Sequence, residues 1–440
     1  MYSNKNIFSL SYPIFLTLLA QSVVNVTDSA FLGRIGEVEL GASALGGVFY
    51  MAIFVVGMGF ANGAQILMGR RNGEKNFIPL GDIFNQGVLF SFILSLVVFS
   101  LSYWFTSPLL RMFIHSKEIY AATVIYLDYR VFGFFFAFVN LMFRAFYVGV
   151  MRTGILTISG FITMGVNVLL SYTLVFGHFG FARMGIAGAA LASVLSEAIT
   201  MLFFVGYTVS FVHIDIYKLF RFNQIRIHVI REILDVSLFM MLQSFISIST
   251  WFLFFVFIEK SGEQPLAVSN IIRSLYSLLG LPVITFGITV STLVSNLMGE
   301  GRVSQVLPMV RRVERLTILI SIPVVLLTAF FPQLFASIYT NDLVLRLATV
   351  PVLHVFCLIL VVFSFGNIYF NAVSGTGNTR VALLFELIVM IVYLVFIYSV
   401  NFIFHAPVAV AWLSEVIYWV GLGSMSYVYL KRGNWQTKKI

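Results

Sequence analysis

Twelve long apolar stretches separated by short polar breaks run the length of the chain. A hydrocarbon core about 30 Å thick takes roughly 20 apolar residues per helical crossing at about 1.5 Å per residue, so each stretch predicts one membrane-spanning helix. The crossings fall at about 7–32, 44–68, 84–106, 119–149, 156–177, 186–212, 232–258, 267–298, 314–336, 347–373, 382–404 and 408–430. The longest polar interruption, His213 to Arg231, sits at the centre. It divides the chain into an N-terminal lobe at 1–212, a cytoplasmic connecting loop at 213–231 and a C-terminal lobe at 232–440, with six crossings to each lobe.

Composition excludes the soluble classes: 60% of residues are hydrophobic, 10% are charged, and no segment is left over for a large extramembrane domain. The first apolar segment is too long for a signal h-region and carries Pro13, Gln21, Asn25 and Asp28, so it reads as a retained helix. A single cysteine, Cys357, permits neither an intrachain disulfide nor a zinc cluster and reads as a packed thiol.

The net charge of +9 is explained by where the basic residues fall. With both termini in the cytoplasm, Lys and Arg cluster at 70–75, 218–231, 302–315 and 431–439, and the cytoplasmic side outweighs the opposite side by about three to one. This predicts a multi-pass plasma (inner) membrane protein whose basic loops face anionic lipid headgroups. No basic stripe interleaved with aromatic residues is present, which argues against nucleic acid as a partner.

The two halves partly repeat after about 220 residues. Gln21-Ser22 in the first crossing matches Gln243-Ser244 in the seventh, Leu67-Met68-Gly69 matches Leu297-Met298-Gly299, and Ser196-Glu197 matches Ser414-Glu415. Six crossings per repeat give both halves the same topology, related by an axis along the membrane normal. The fold class expected is an all-α membrane protein, with twelve transmembrane helices in two pseudo-symmetric six-helix lobes around a central cavity. Gly57, Gly59 and Gly63 in the second crossing, and Gly280, Pro282 and Gly287 in the eighth, put helix-weakening residues in corresponding members of the repeats.

Asp28 carries the chemistry. A carboxylate inside a membrane segment costs several kcal/mol unless it is paired or protonated, and no Lys or Arg lies one helical turn away to neutralise it. Desolvation favours the neutral form of any carboxyl, which makes such a group suited to gaining and losing a proton. Gln21, Asn25 and Asp28 share one helix face at i, i+4 and i+7. Glu386 and Glu415 are further intramembrane acids of the second half whose direct role the sequence leaves open. Glycine-rich phosphate loops, histidine-rich metal sets and nucleophile elbows are all missing, so the chain does not read as an enzyme and no cofactor or resident metal is expected.

The run from Pro13 to Gly41, PIFLTLLAQSVVNVTDSAFLGRIGEVELG, resembles the first helix of MATE (multidrug and toxic compound extrusion) transporters, with a bend proline at Pro13, an acid two turns before the exit and a Gly-Arg-x-Gly turn. The stretch from Tyr126 to Glu197 is similar to the DinF-like branch of that family: YLDYRVFG opens the fourth helix, Asn140 and Gly149 punctuate it, Asn167 sits in the fifth, and GIAGAALASVLSE opens the sixth. The resemblance implies export of amphipathic, often cationic, organic compounds in exchange for protons or sodium ions, by rocking of two lobes.

It also implies roles for residues. Asp28 matches the acid of the N-terminal coupling site and Asn167 the asparagine that faces it. Some relatives carry an aspartate four residues after that asparagine, where this chain has Ser171. Sodium favours several oxygen ligands including carboxylates, whereas one acid suffices for a proton, so the coupling ion is expected to be a proton, with sodium as the alternative. Glu197 is a second candidate for ion coupling; the competing reading pairs it with Arg130 or Arg144. The candidate substrate-binding residues are Gln21, Asn25, Asn140, Arg144 and Gln243, the last standing where some relatives carry a glutamate. Arg144, a buried cation, argues against purely cationic substrates. By duplication Thr250 corresponds to Asp28, which confines coupling to the N-terminal lobe. The expected partners are a small organic molecule, cationic ones included, and membrane lipids, with the protein acting as a monomer. The alternative function is a flippase or exporter of lipid-linked or other polar metabolites in the same superfamily.

Overall fold

The computed structural model describes residues 2–222 and 224–438; Lys439 of the C-terminal basic cluster lies outside them. Among the described residues the regular structure is entirely helical. The first half contributes α1 (Asn4–Gly33), α2 (Glu37–Gly73), α3 (Phe77–Phe113), α4 (Lys117–Arg130), α5 (Gly133–Gly149), α6 (Gly154–Phe176), α7 (Ile186–Phe211) and a short α8 (Ile214–Tyr217). The second contributes α9 (Ile227–Glu259), α10 (Glu263–Leu279), α11 (Leu281–Gly299), α12 (Val306–Phe330), α13 (Pro332–Ser337), α14 (Leu343–Gly375), α15 (Thr379–Tyr398), α16 (Val408–Ala411) and α17 (Leu413–Arg432). Among the described residues, eleven helices are long and apolar enough to cross a membrane, and counting the bent pair α4–α5 as one span gives twelve. Every span lies on one of the twelve expected crossings.

Several crossings expected to be continuous are broken, two of them beside a glycine. Between α4 and α5 the axis turns by 51°, at the residues just before Gly133, in keeping with the weak hold that glycine has on helical geometry. The expected crossing at 267–298 is divided between α10 and α11 at Gly280, and Pro282 occupies the first turn of α11. Proline lacks an N–H and fits that turn without losing a hydrogen bond, but it cannot continue a preceding helix.

Contacts divide the chain into one unit of Tyr12–Met241 and another of Met1–Ser11 with Leu242–Ile440. In the first unit, the small residues of α2 permit close approach: a Cβ on Gly57 would run into the Phe138 ring, and one on Gly63 would lie 2.6 Å from Ser237 Cα of α9. The central polar segment is fastened to α3 of the same unit. Asn85 Nδ2 donates to Lys218 O at 2.8 Å and Asn85 Oδ1 accepts from Phe220 N at 2.8 Å. Gln86 does the same with Gln224 O (2.9 Å) and Arg226 N (3.0 Å). Gly81 lets the Tyr217 carbonyl sit against α3 where any Cβ would collide with it.

In the second unit, Trp412, Phe254, Tyr393, Phe356 and Val283 belong to one buried apolar cluster. Both units leave large apolar side chains exposed, Trp104 at 71% and Phe252 at 65% among them, as expected where the surrounding solvent is lipid.

Candidate functional site

A cavity of about 440 Å³ opens inside the Tyr12–Met241 unit. Helix α1 brings Gln21, Asn25 and Asp28 to its wall, α4 brings Arg130, α5 brings Asn140 and Arg144, α6 brings Asn167, and α7 brings Ser193 and Glu197. The one-turn spacings within α1, and between Asn140 and Arg144, Asn167 and Ser171, and Ser193 and Glu197, align each pair on a single helix face. Of the residues singled out from sequence, Gln243 alone among the ion- and substrate-contacting candidates falls in the other unit, where its side chain faces Glu386. Pro13 lies within α1, which continues through it, and its carbonyl accepts from Thr17 Oγ1 at 2.8 Å.

Asp28 is held by neutral donors. Its Oδ1 accepts from Ser171 Oγ at 2.9 Å and its Oδ2 from Ser193 Oγ at 3.3 Å. Asn167, fully buried, donates from Nδ2 to Ser193 Oγ at 3.2 Å and also faces Asp28. No Lys, Arg or His pairs with Asp28 among the described residues. Hydrogen bonds from hydroxyls support the ionised carboxylate without cancelling its charge. The buried Asn167 Oδ1 has no partner.

Glu197 is placed differently. Arg130 grips it through two parallel bonds, Nη1 to Oε2 at 3.1 Å and Nη2 to Oε1 at 2.7 Å. The guanidinium also lies 3.7 Å from the centre of the Tyr50 ring, which stacks on Phe134 at 4.4 Å. Gly133 is required here: a Cβ at that position would collide with Arg130 Nη1 and sit 2.6 Å from Glu197 Oε2. The bend between α4 and α5 and the ion pair are thus one construction. Arg130 is thereby a cavity residue clamped between α2 and α7. Asn140 Nδ2 donates to the Glu197 carbonyl at 2.8 Å and leaves its own buried Oδ1 unpartnered.

Arg144, part-buried on the cavity wall, makes neither a hydrogen bond nor an ion pair among the described residues. The cavity therefore holds two acids and two guanidinium groups, of which one acid and one cation neutralise each other. Asp28 and Arg144 remain as free charges. Sequence reasoning missed Ser193, Tyr50 and Gly133. The one available signal was Ser193, a turn ahead of Glu197 in the GIAGAALASVLSE run.

A family model described as MatE matches residues 13–173 and again 237–399. A probable multidrug resistance protein NorM of Rhizobium meliloti (strain 1021) is 29% identical over 198 residues, which cover 45% of this chain and 42% of that protein. The chain's match thus spans less than half of that relative and, at 49%, of a second NorM relative from Agrobacterium fabrum. A probable NorM protein of Thermotoga maritima is 23% identical over 448 residues, covering 99% of this chain and 94% of the relative. A solved structure described as the outward-facing conformation of a multidrug resistance MATE family transporter of the MOP superfamily matches with a TM-score of 0.88 at 19% identity, over 99% of this chain and 97% of that one. At that identity the likeness is one of fold.

Proposed function

The chain belongs to the MatE family, and from that premise we propose that it is a proton-coupled antiporter exporting amphipathic organic compounds across the plasma (inner) membrane, as a monomer with both termini in the cytoplasm. The multidrug resistance relatives support efflux as the direction, and the motifs of the fourth to sixth crossings favour the DinF-like branch within the family. The observation that carries the coupling is Asp28: an acid on the wall of a cavity, held by Ser171, Ser193 and Asn167, with no cation paired to it.

Exchange needs substrate and coupling ion to oppose each other energetically. Ionised Asp28 takes a proton in the outward-open state. The hydroxyl bonds to the former carboxylate weaken, and the cavity loses the charge that helped to hold a bound substrate. The lobes then rock inward-open, the proton leaves, and substrate binds again. One carboxyl with hydroxyl and amide neighbours suits a proton better than a sodium ion, which favours several anionic or carbonyl oxygens. In this scheme Glu197 positions the site through Arg130, and Gln21, Asn25 and Asn140 offer polar contacts to substrate.

A second reading, export of lipid-linked or other polar metabolites carrying an acidic group, is favoured by one observation: the unpaired guanidinium of Arg144 on the cavity wall. Purified protein in vesicles, given a proton gradient or a sodium gradient separately, tests the coupling ion. Ethidium exchange driven by the proton gradient alone is the expected result. Exchange driven by sodium alone overturns the proton assignment.

A further inference from the structure

The start of α1 lies against the first turns of α12, within the unit that joins Met1–Ser11 to Leu242–Ile440. A groove of about 770 Å³ opens between them, and its charged lining is Lys5 from α1 with Arg311, Arg312 and Arg315 from α12. The rest of the lining is neutral, and Ser3 and Asn4 add polar groups to it. Arg315 follows Arg311 by four residues and Arg312 by three, so the three guanidinium groups share one side of the helix.

None of these four cations forms an ion pair among the described residues. The acids nearest to them in sequence are committed elsewhere. Glu300 accepts from Tyr2 OH at 2.8 Å and pairs with Arg302 at 2.9 Å, and Glu314 accepts from Tyr369 OH at 2.9 Å. Two of the arginines are steadied by neutral oxygens instead. Arg312 Nη1 donates to Tyr2 O at 2.8 Å, and Arg311 Nη2 donates to Tyr427 OH on α17 at 3.3 Å. Such bonds fix the position of a guanidinium without cancelling its charge. Like charges gathered in one groove repel each other, and an anion that enters relieves that repulsion.

Farther along the same helix faces the surface turns apolar. Leu319, Ile322 and Leu326 follow Arg315 at four, seven and eleven residues, and Phe8 follows Lys5 at three. All four are exposed. A free phosphate would use only the cationic end of this track. A lipid uses both parts, its phosphate on the cations and a chain on the apolar side chains beyond them.

We propose that the groove binds the headgroup of an anionic glycerophospholipid such as phosphatidylglycerol, with an acyl chain lying along Leu319 and Ile322. Basic pockets between membrane helices take anionic headgroups in this way, and the planar fork of Arg presents parallel donors that match phosphate oxygens. The bound lipid ties the first turn of α1 to α12, because one anion is shared between Lys5 and the arginines. The orientation proposed above makes the leaflet the cytoplasmic one; the binding itself depends neither on that orientation nor on antiport.

A tail-labelled fluorescent phosphatidylglycerol, titrated into the full-length protein in neutral detergent beside phosphatidylcholine with the same label, tests this. Wild type should bind the anionic lipid roughly tenfold or more tightly than the zwitterionic one; equal affinities overturn the site. Lys5→Gln/Arg315→Gln removes two exposed cations that make no hydrogen bond among the described residues, and should bring phosphatidylglycerol close to the level of phosphatidylcholine. Arg221→Gln/Arg231→Gln, an equal loss of charge in the other unit, should leave the preference in place. A preference retained in the first variant, or lost equally in both, overturns the site. Should the first variant fail to fold, raising salt from about 0.1 M to about 1 M, which shortens the screening length from about 10 Å to about 3 Å, should weaken phosphatidylglycerol binding to wild type several-fold; an unmoved affinity overturns the site. Glycerol phosphate, which has the headgroup chemistry without the chains, should compete only at far higher concentration than the lipid. Competition at the lipid's own concentration makes the groove a site for soluble phosphates and overturns the lipid assignment.

Discussion

Ser171 Oγ donates to Asp28 Oδ1 at 2.9 Å, tying α6 to the one acid on the cavity wall that has no counter-ion. The residue that some relatives replace with a second acid is here a donor to the first. Asp28→Asn leaves an amide of the same shape in place, so folding and membrane insertion should persist while proton-driven exchange falls to background. Ser171→Ala removes one charge-assisted bond, about 1.5–3 kcal/mol, and should slow exchange by roughly tenfold or more without abolishing it. Vesicle flux assays on both variants check this; full exchange by Asp28→Asn sinks the coupling assignment.

The Arg130–Glu197 pair should show strong mutual dependence. Its side chains are only 11% and 18% exposed, and removing one partner of a buried pair costs about 3–5 kcal/mol because the other charge is stranded. Arg130→Met and Glu197→Leu should each lower the thermal midpoint in detergent markedly. The double variant should be more stable than either, with loss of ethidium exchange tracking stability. If the two single losses simply add, the residues act independently and the pair does not organise the cavity.

Gly133 makes a sharper test of the same construction. Its Cβ-free face is filled by the guanidinium of Arg130 and by Glu197 Oε2. Gly133→Ala should therefore destabilise as strongly as loss of the salt bridge, although alanine is the better helix former by about 1 kcal/mol. In an Arg130→Met background the penalty should shrink, and thermal unfolding of the four proteins measures that coupling.

The spans could be read from sequence because hydrocarbon thickness dictates their length, whatever they pack against. So could Asp28, Asn167 and Ser171, since a polar residue within such a span announces itself. What could not be read was pairing across helices. Glu197 with Arg130 was one of two partners in view, and the choice depends on the 51° turn between α4 and α5, which brings α4 against α7. Gln243 reads as a substrate contact by its match to a relative's acid, yet it faces Glu386, a partner set by the packing of α9 on α15. The connecting segment looks like a free loop because its polar residues conceal backbone groups that Asn85 and Gln86 satisfy.

Arg144 decides what the cavity can hold. With Arg130 matched by Glu197, protonation of Asp28 leaves Arg144 as the sole uncompensated charge on the wall. An organic cation then meets repulsion in a region where low dielectric makes charge interactions strong, whereas a carboxylate or phosphate meets a planar donor suited to two parallel bonds. Wild type should accordingly prefer zwitterionic amphiphiles, whose cationic end meets ionised Asp28 and whose acidic end meets Arg144, over monocations of equal size. Arg144→Leu keeps the apolar bulk and removes the charge; it should raise ethidium exchange several-fold and lower that of a zwitterionic fluorescent dye such as rhodamine B by at least as much. Paired flux measurements with the two dyes in the same vesicle preparation read the ratio directly. A ratio unchanged by the substitution would mean that Arg144 does not meet the substrate, and that the selectivity of the cavity lies with its uncharged walls.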